Sequence, residues 1–272
     1  MIVANLATYP PRRERLPAVV RALAPQVDRL NIVLNDYAEV PAELPALPGV
    51  VATIPRADTK DTGKFLPDVT GASFDFLADD DLDYPSDYVS RTIAALEACA
   101  GTRVAGGYHG TIYTRPRPGT SLRKISRYLR YGPDRVMESR KVYKFDAALA
   151  APVVVDQIGS GTAILRGTDM PPFAYMKDAP MFVDVRLARW CFDKGIDLVC
   201  LPRAAGWLTE ERFDERIYDF TRGNPERVVR EVATYAFRNP RRGNVPRRRA
   251  SSRDVQIRIE SSALGVTERQ GD

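Results

Sequence analysis

The chain has 272 residues, a formal net charge of +5 and a hydrophobic fraction of 44%. This length allows one large α/β domain, or two small ones, to bury a full core without disulfides or structural metals. The chain has three cysteines, and this odd number without a close pair argues against a disulfide framework. It has no Cys-x-x-Cys pair and only one histidine, His109, so a Cys/His zinc site cannot be assembled. No nucleophile elbow accompanies His109, so catalysis would depend on carboxylates, with or without a hard metal.

The positive charge is mostly arginine and is concentrated in two stretches, residues 115–141 and 238–253. Because arginine binds phosphate and carboxylate groups in a bidentate manner, anionic partners are expected. Nucleic acid, a membrane surface, a nucleotide and an acidic polysaccharide all fit this composition. The N-terminal sequence lacks the features of a signal peptide, and no apolar run is long enough to cross a bilayer, which predicts a cytoplasmic protein.

Short apolar strands alternate with amphipathic helices over the first hundred residues. Strands are predicted at 2–6, 30–34, 50–54, 73–78 and 104–108, and helices at 12–23 and 85–100. This alternation favours a doubly wound, mostly parallel α/β sheet flanked by helices. Later strands are predicted at 153–158, 162–165 and 198–201, and later helices at 121–130, 183–192 and 224–238. These elements predict one domain over residues 1–238, followed by a basic, mobile segment over residues 239–272.

An acidic triplet, Asp79-Asp80-Asp81, follows directly on the strand predicted at 73–78. In an open α/β sheet, ligands bind beyond the carboxyl ends of the strands. Three adjacent carboxylates repel one another unless a cation lies between them, and hard oxygen ligands select Mg²⁺ or Mn²⁺. A solvated acidic loop is the alternative, but the position at a strand end, before an apolar-aromatic-proline sequence, favours a metal site.

The segment Phe76–Pro85 resembles the Asp-x-Asp motif of GT-A glycosyltransferases, especially the inverting family 2 group. Residues 5–12 resemble the first strand and nucleotide-binding turn of that fold, residues 61–65 the segment that closes over the uracil, and residues 182–188 the helix start that supplies the catalytic base. The resemblance covers about residues 2 to 208. It implies a Rossmann-like GT-A domain, with a mostly parallel central sheet and a small antiparallel subsheet on the acceptor side. Residues 1 to about 110 would form the nucleotide-binding half, and residues from about 111 to 238 the acceptor half.

The implied activity is a metal-dependent, inverting transfer of a hexosyl group from a nucleotide sugar, with UDP expected, to a glycan or another hydroxyl acceptor. Surface polysaccharide or glycoconjugate synthesis is the implied setting, and an anionic acceptor fits the arginine content. Mn²⁺ or Mg²⁺ would offset the charge on the departing diphosphate. By resemblance, Asp81 binds the metal, Asp79 contacts the metal and the ribose or diphosphate, and Asp80 holds the sugar or supports its neighbours. Asp83 is a further helper or a cap of the next helix.

Asp184, at the predicted helix start, is the candidate general base that takes the proton of the acceptor hydroxyl. The family commonly has two acidic residues in tandem at this point, and here the first of them is Val183. Asp178 is therefore a rival base, and a helix-capping role for Asp184 is the alternative. The turn Gly159-Ser160-Gly161 borders the donor sugar and acceptor in the family, although a tight hairpin explains it equally well.

The other candidates for the nucleotide site lie at predicted strand ends and turns. They are Thr8, Tyr9, Arg12, Asn35, Asp61 and Lys64. Arg12 and Lys64 are candidates for the diphosphate or the uracil edge, Asp61 for the uracil ring NH, and Tyr9 for stacking on the base. Surface charge or plain turn formation explains each of them as well. His109 follows a strand among glycines and is a candidate metal ligand or donor-pocket residue, with a structural histidine as the alternative.

Residues 121–130 predict a short basic amphipathic helix. This helix or the arginine-rich tail could contact the inner face of the membrane, or an acidic acceptor, and packing on the domain with a solvated basic face is the alternative. Two other functions stay open. A nucleotidyltransferase of related fold is disfavoured because no glycine-rich loop follows the first strand. A non-enzymatic module for anionic polymers is disfavoured because the tail has no aromatic residues among its arginines, and no specific nucleic-acid partner is expected.

Overall fold

The structure, a computed structural model, describes residues 1–44, 46–99, 103–116, 121–131, 136–137, 139–211 and 226–244. Within these residues, and with labels in chain order, a central sheet has the spatial order β3 (Val50–Thr53), β2 (Arg29–Leu34), β1 (Ile2–Thr8), β4 (Phe74–Ala78), β11 (Thr162–Leu165), β6 (Val104–Gly107), β12 (Asp197–Cys200) and β9 (Val153–Val155). Two small antiparallel sheets accompany it, β10 (Gln157–Ile158) with β7 (Gly110–Tyr113) and β8 (Arg140–Tyr143), and β13 (Thr209–Glu210) with β5 (Leu82–Asp83).

The described residues also form six α-helices. They are α1 (Leu16–Leu23), α2 (Tyr88–Ala98), α3 (Leu122–Leu129), α4 (Phe173–Met176), α5 (Val183–Asp193) and α6 (Glu226–Tyr235). Apolar side chains of α1 and α2 belong to one hydrophobic cluster, and those of α5 and α6 belong to another. Among the strands of the central sheet that the structure describes, only β9 and β11 are antiparallel to their neighbours. The predicted α/β class, with a mostly parallel sheet, flanking helices and a small antiparallel sheet, is confirmed.

The winding direction of the sheet reverses between β1 and β4. From β1 the chain passes through α1 to β2 on one side of β1, whereas β4 pairs with the other side of β1. Such a switch point leaves a crevice beyond the carboxyl ends of the two strands, which is the usual ligand position in open α/β sheets. Thr8 ends β1 and Asp79 follows β4, so predicted site residues from both strands meet at this crevice.

Three local predictions differ from the structure. The strand predicted at 153–158 is two strands in different sheets, since β9 pairs with β12 and β10 pairs with β7, and the side chain of Asp156 between them accepts a hydrogen bond from Tyr113 N (2.8 Å). The helix predicted at 12–23 begins only at Leu16, after a separate 3₁₀ turn, Pro10–Arg12. The strands β7 and β8 were not predicted at all.

The start of the segment predicted to be mobile also differs, since residues 239–244 are held against the domain. Gly243 N donates to Val154 O (2.7 Å), and Val154 N donates to Asn244 O (3.0 Å). Asn239 Nδ2 donates to Asp197 Oδ1 (3.1 Å). The boundary of the folded domain therefore lies beyond residue 238, and the predicted tail from residue 245 lies outside the described residues. No helix that the structure describes is both long and apolar enough to cross a bilayer.

Candidate active site

The end of β1 and the acidic triplet after β4 are joined by a short hydrogen bond. Thr8 Oγ1 donates to Asp80 Oδ2 (2.6 Å), and both side chains are buried. Burial raises the pKa of Asp80, while Thr8 and the positive charge of Arg12 oppose this shift. Arg12 is itself buried on the 3₁₀ turn that follows β1. The structure thus brings together three residues that were predicted separately for the nucleotide site: Thr8, Arg12 and Asp80.

Lys64 supplies a buried cation to the same crevice. Its side chain is 2% exposed and forms an ion pair with Asp79, whose side chain is 41% exposed. Burial lowers the pKa of Lys64, but the carboxylates of Asp79, Asp61 and Asp184 outweigh this, and the pKa lies above its ordinary value. Lys64 therefore stays positively charged among three carboxylates, and it is not the solvated surface charge that was the alternative.

The turn Gly159-Ser160-Gly161 lies between Asp79 and Asp184. Ser160 N donates to Asp184 Oδ1 (2.8 Å). A Cβ atom added at Gly161 would overlap the carboxylate of Asp79, and one added at Gly159 would lie 3.8 Å from Asp184 Oδ2. Glycine at position 161 therefore lets the backbone of the turn approach Asp79, whereas a side chain at position 159 would be limited by His109 and not by Asp184.

Asp184 is the second residue of α5 and is partly buried. Burial raises the pKa of this carboxyl group, hydrogen bonds from Ser160 lower it, and the negative charge of Asp79 raises it further. A carboxyl group whose pKa is raised toward neutrality is better matched to general base catalysis than an ordinary aspartate. The predicted rival, Asp178, is exposed, and its backbone carbonyl accepts a hydrogen bond from Arg227. Asp184 is the carboxylate that reaches the crevice.

Asp61 connects the crevice to the loop before α5. Its Oδ1 accepts a hydrogen bond from Met181 N (2.7 Å), and Met181 has a left-handed backbone conformation (φ 67°). One carboxylate oxygen is thus engaged in fixing the approach to the helix that carries Asp184. Burial raises the pKa of Asp61 to about 6, with Lys64 opposing the shift and Asp184 adding to it. The predicted contact between Asp61 and the uracil ring NH would therefore have to use Asp61 Oδ2.

This raised pKa makes the stability contribution of Asp61 depend on pH. An acid with a pKa of 3.8 in the unfolded chain and about 6 in the fold stabilises the fold when protonated, and this contribution is lost as the pH rises through that interval. Asparagine cannot ionise and keeps an oxygen for Met181 N. The unfolding free energy of Asp61→Asn minus that of the wild type should therefore increase by about 2 kcal/mol between about pH 4 and about pH 7. Urea titrations at both pH values test this, and an equal difference at the two would contradict it.

Tyr84 is a positioning residue that the sequence did not indicate. This buried phenol accepts a hydrogen bond from Asp79 N (2.8 Å) and donates one to Gly161 O (2.6 Å). It therefore joins the backbone of the acidic triplet to the backbone of the glycine turn. The only sequence signal was an aromatic residue after the acidic run, which sequence reasoning treated as part of the strand exit.

Removing this phenol should destabilise the site. We expect Tyr84→Phe to lower the unfolding free energy by about 2 kcal/mol, because it leaves Asp79 N and Gly161 O without their buried partner. Tyr88→Phe is the matched control: Tyr88 is a neighbouring buried tyrosine whose hydroxyl has no hydrogen-bond partner among the described residues, so its loss should cost nothing. Chemical denaturation of the two variants measures the difference, and equal losses would show that Tyr84 acts through packing alone.

Asn35 and Tyr9 flank the crevice in different ways. Asn35 Oδ1 accepts from Thr59 N (2.8 Å) and from its hydroxyl (2.7 Å), and Asn35 Nδ2 donates to Lys60 O (2.9 Å). The amide predicted to contact the base is thus occupied in bracing the loop before Lys64. Tyr9 directly follows β1 and is partly exposed, and its stacking on the base stays a prediction.

Asp83 belongs to a separate ion pair at the rim. Its two carboxylate oxygens bind Arg15 and the hydroxyl of Thr209 (2.8 Å for the latter). The neighbouring Glu211 N donates to Asp81 O (2.9 Å). Asp83 consequently fixes the loop of the acidic triplet against β13 and does not cap α2, whose N-cap residue is Asp87.

The acidic triplet has donor chemistry that fits a divalent cation. Burial and the negative charges of Asp79 and Asp80 raise the pKa of Asp81 to about 7. Among the residues that the structure describes, however, no group of three or more His, Cys, Asp or Glu side chains is arranged to hold a metal. The predicted set Asp79, Asp81 and His109 is therefore not gathered. Mg²⁺-type ions are often held by one or two carboxylates together with substrate phosphates and water, and that arrangement fits Asp79 and Asp81.

His109 lies on the Asp184 side of the glycine turn. Its Cβ is 3.1 Å from the position that a Cβ would take at Gly159, and its ring lies 6.1 Å from that of Phe145, measured between centroids. Burial lowers the pKa of His109, while the charge of Asp184 opposes the shift. A neutral imidazole beside Asp184 suits a pocket residue, and its role as a metal ligand stays a prediction.

Comparisons with known proteins give structural similarity at low sequence identity. No protein-family model and no curated protein matches the sequence. A solved structure described as that of a mycobacterial protein is 14% identical, covers 78% of this chain and 68% of its own, and has a TM-score of 0.43. The glucosyl-3-phosphoglycerate synthase from Mycobacterium tuberculosis, solved with Mn²⁺, UDP-glucose and phosphoglyceric acid, is 12% identical, covers 86% of this chain and 79% of its own, and has a TM-score of 0.46.

Proposed function

We propose that the chain is a GT-A-type glycosyltransferase that moves a sugar from a nucleotide sugar, with UDP as the leaving group, to a hydroxyl acceptor. The observation that carries this proposal is the contact of one glycine turn with two carboxylates. Gly161 abuts Asp79, which follows β4, and Ser160 N holds Asp184, which begins α5. The crevice proposed for the nucleotide and the candidate base Asp184 thus lie on opposite sides of the turn 159–161, and Lys64 lies between them.

The donor side is supported by charge and by position. The switch point between β1 and β4 is the expected place for a nucleotide, and Arg12 and Lys64 lie there as cations beside the acidic triplet. Asp79 and Asp81 are the residues that would hold Mn²⁺ or Mg²⁺. A divalent cation bound there would offset the negative charge that builds on a departing diphosphate. Tyr9, partly exposed directly after β1, is the candidate to stack on the base.

The acceptor side is supported by Asp184. Its carboxylate is held by Ser160 N and lies at the N-terminus of α5, where the helix dipole favours negative charge. In an inverting reaction, such a group accepts the proton of the acceptor hydroxyl while the oxygen attacks the anomeric carbon from the face opposite the diphosphate. A glycan acceptor in polysaccharide or glycoconjugate synthesis suits this chemistry, and a neutral His109 nearby could hydrogen-bond it.

The two other functions are less well supported. A nucleotidyltransferase must grip a triphosphate, and the turn after β1 is the 3₁₀ helix Pro10–Arg12, which contains no glycine. A module for anionic polymers requires no carboxylate cluster in its crevice. The charged group formed by the buried Lys64 with Asp61, Asp79 and Asp184 costs desolvation energy and is better explained by a ligand or a reaction.

Thermal melting in the presence of nucleotides tests the proposal. UDP together with Mn²⁺ should raise the melting temperature by several degrees more than either alone, because the nucleotide and the metal would complete each other's binding site. ATP, CTP and a labelled DNA single strand are the comparison ligands. A panel of UDP-sugars scored for UDP release then identifies the donor. Stabilisation by triphosphates or by single strands, without an effect of UDP and Mn²⁺, would refute the proposal.

A further inference from the structure

Helix α3 presents its apolar side chains to solvent. Leu122 is 86% exposed and Leu129 is 74% exposed, and Ile125 and Tyr128 are exposed as well. Leu122, Ile125 and Leu129 are spaced at i, i+3 and i+7 and therefore lie on one face of the helix. The alternative in which this helix packs its apolar face on the domain is thus not the arrangement found. Leaving such a face in water costs free energy that a partner would recover.

Positive charge surrounds this apolar face. Arg123, Lys124 and Arg130 are exposed, and residues 121–131 contain no carboxylate. The side chain of Ser121 caps the helix by accepting a hydrogen bond from Lys124 N (3.3 Å), so the sequence specifies the helix start locally. The surface of α3 is therefore apolar and cationic together.

We propose that this surface of α3 binds an anionic lipid bilayer. The headgroup phosphates would neutralise the lysines and arginines, while Leu122, Ile125 and Leu129 would enter the boundary with the acyl chains. A soluble acidic polymer would satisfy the cations but leave the leucines in water. A lipid surface is the single occupant that satisfies both halves of the pattern. The inference stands apart from the proposed transfer reaction, since none of the crevice residues takes part in it.

Vesicle co-sedimentation with the full chain tests this proposal. We expect the protein to sediment with phosphatidylcholine vesicles that contain about one quarter phosphatidylglycerol and not with pure phosphatidylcholine, and salt near 0.5 M should release it. The double variant Leu122→Ser, Leu129→Ser should bind at least about tenfold more weakly. Val51→Ser is the matched control, because Val51 is 47% exposed on β3, an edge strand of the central sheet, and its loss should leave binding unchanged.

Two further measurements keep the test decisive. Substitution of Arg247, Arg248 and Arg249 by glutamine should leave vesicle binding intact, and a loss there with no loss in the leucine variant would assign the contact to the tail and overturn the proposal. Light scattering during gel filtration measures the oligomeric state. A dimer that the leucine variant abolishes, without vesicle binding by the wild type, would show that a second copy covers the helix. Because Leu122, Leu129 and Val51 are exposed, thermal melting of the leucine and valine variants should match that of the wild type, and UDP binding reports separately on the crevice.

Discussion

Asp184→Asn is expected to lower the rate of sugar transfer by about 10³-fold while leaving UDP affinity unchanged, which is the effect of removing a general base. Asparagine retains an oxygen that can accept the hydrogen bond from Ser160 N, so the turn should keep its position. It cannot accept the proton of the acceptor hydroxyl. Single-turnover transfer assays measure the rate, and thermal melting with UDP and Mn²⁺ measures binding.

The matched control for this variant is Asp178→Asn. Asp178 was the rival base in the sequence, but it is exposed, and its contact to Arg227 uses the backbone carbonyl. This variant should therefore transfer sugar at the rate of the wild type. Full activity of Asp184→Asn together with loss of activity in Asp178→Asn would identify Asp178, and not Asp184, as the general base. A fall in UDP affinity that accounts for the whole loss in Asp184→Asn would make Asp184 structural.

The parts of the fold that local sequence encodes could be predicted. β1 and β4 are short apolar runs that lie almost wholly buried in the middle of the sheet, and α1 buries Leu16, Val19 and Leu23 at helical spacing. Asp79 and Asp184 were chosen as candidates because each follows or begins such an element. Ligands in this class of sheet bind at strand ends and helix starts, so the position of a charged residue on an element was informative.

What could not be predicted depends on partners that are distant in the sequence. The hydrogen bond from Tyr84 to Gly161 spans 77 residues, and the one from Met181 to Asp61 spans 120 residues. Neither residue has a local pattern that reveals its partner. The same reason applies to β7 and β8, two four-residue strands that pair across the intervening helix α3. Apolar periodicity reports which face of an element is buried but not which residue lies against it.

Asn35 and Asp83 show a further limit of sequence reasoning. Asn35 follows a strand near the crevice and was predicted for the nucleotide site, whereas Asp83, two positions after the triplet, was predicted to be a helper or a helix cap. Their side chains instead bind Thr59, Lys60, Arg15 and Thr209, which fixes the loops that carry Lys64 and the acidic triplet. A polar residue at a strand end serves either a ligand or a neighbouring loop, and only the tertiary contacts distinguish the two.

The second large effect is expected at the acidic triplet itself. Asp81→Asn should weaken Mn²⁺-dependent binding of UDP by about 100-fold, because it removes one of two carboxylates that attract a doubly charged ion at short range. Calorimetric titration with UDP in the presence and absence of Mn²⁺ measures this loss directly. Asp83→Asn is the matched control, since that carboxylate is two positions away and is engaged by Arg15 and Thr209. Equal loss in both variants would point to disruption of the loop and not to a lost ligand.

Stability without metal gives an independent reading of the same side chain. The pKa of Asp81 is about 7 in the fold and 3.8 in the reference state, so folding is favoured by its protonated form, and that contribution disappears as the pH rises through this interval. Asparagine carries no charge at any pH, so at about pH 8, above both pKa values, the variant should exceed the wild type in unfolding free energy by roughly 4 kcal/mol. Weaker metal binding together with greater stability is what a carboxylate held for a ligand should show, because its repulsion of Asp79 and Asp80 is unfavourable until a cation arrives. Lower stability of Asp81→Asn at alkaline pH would mean that this carboxylate serves the fold, and the metal assignment would fall with it.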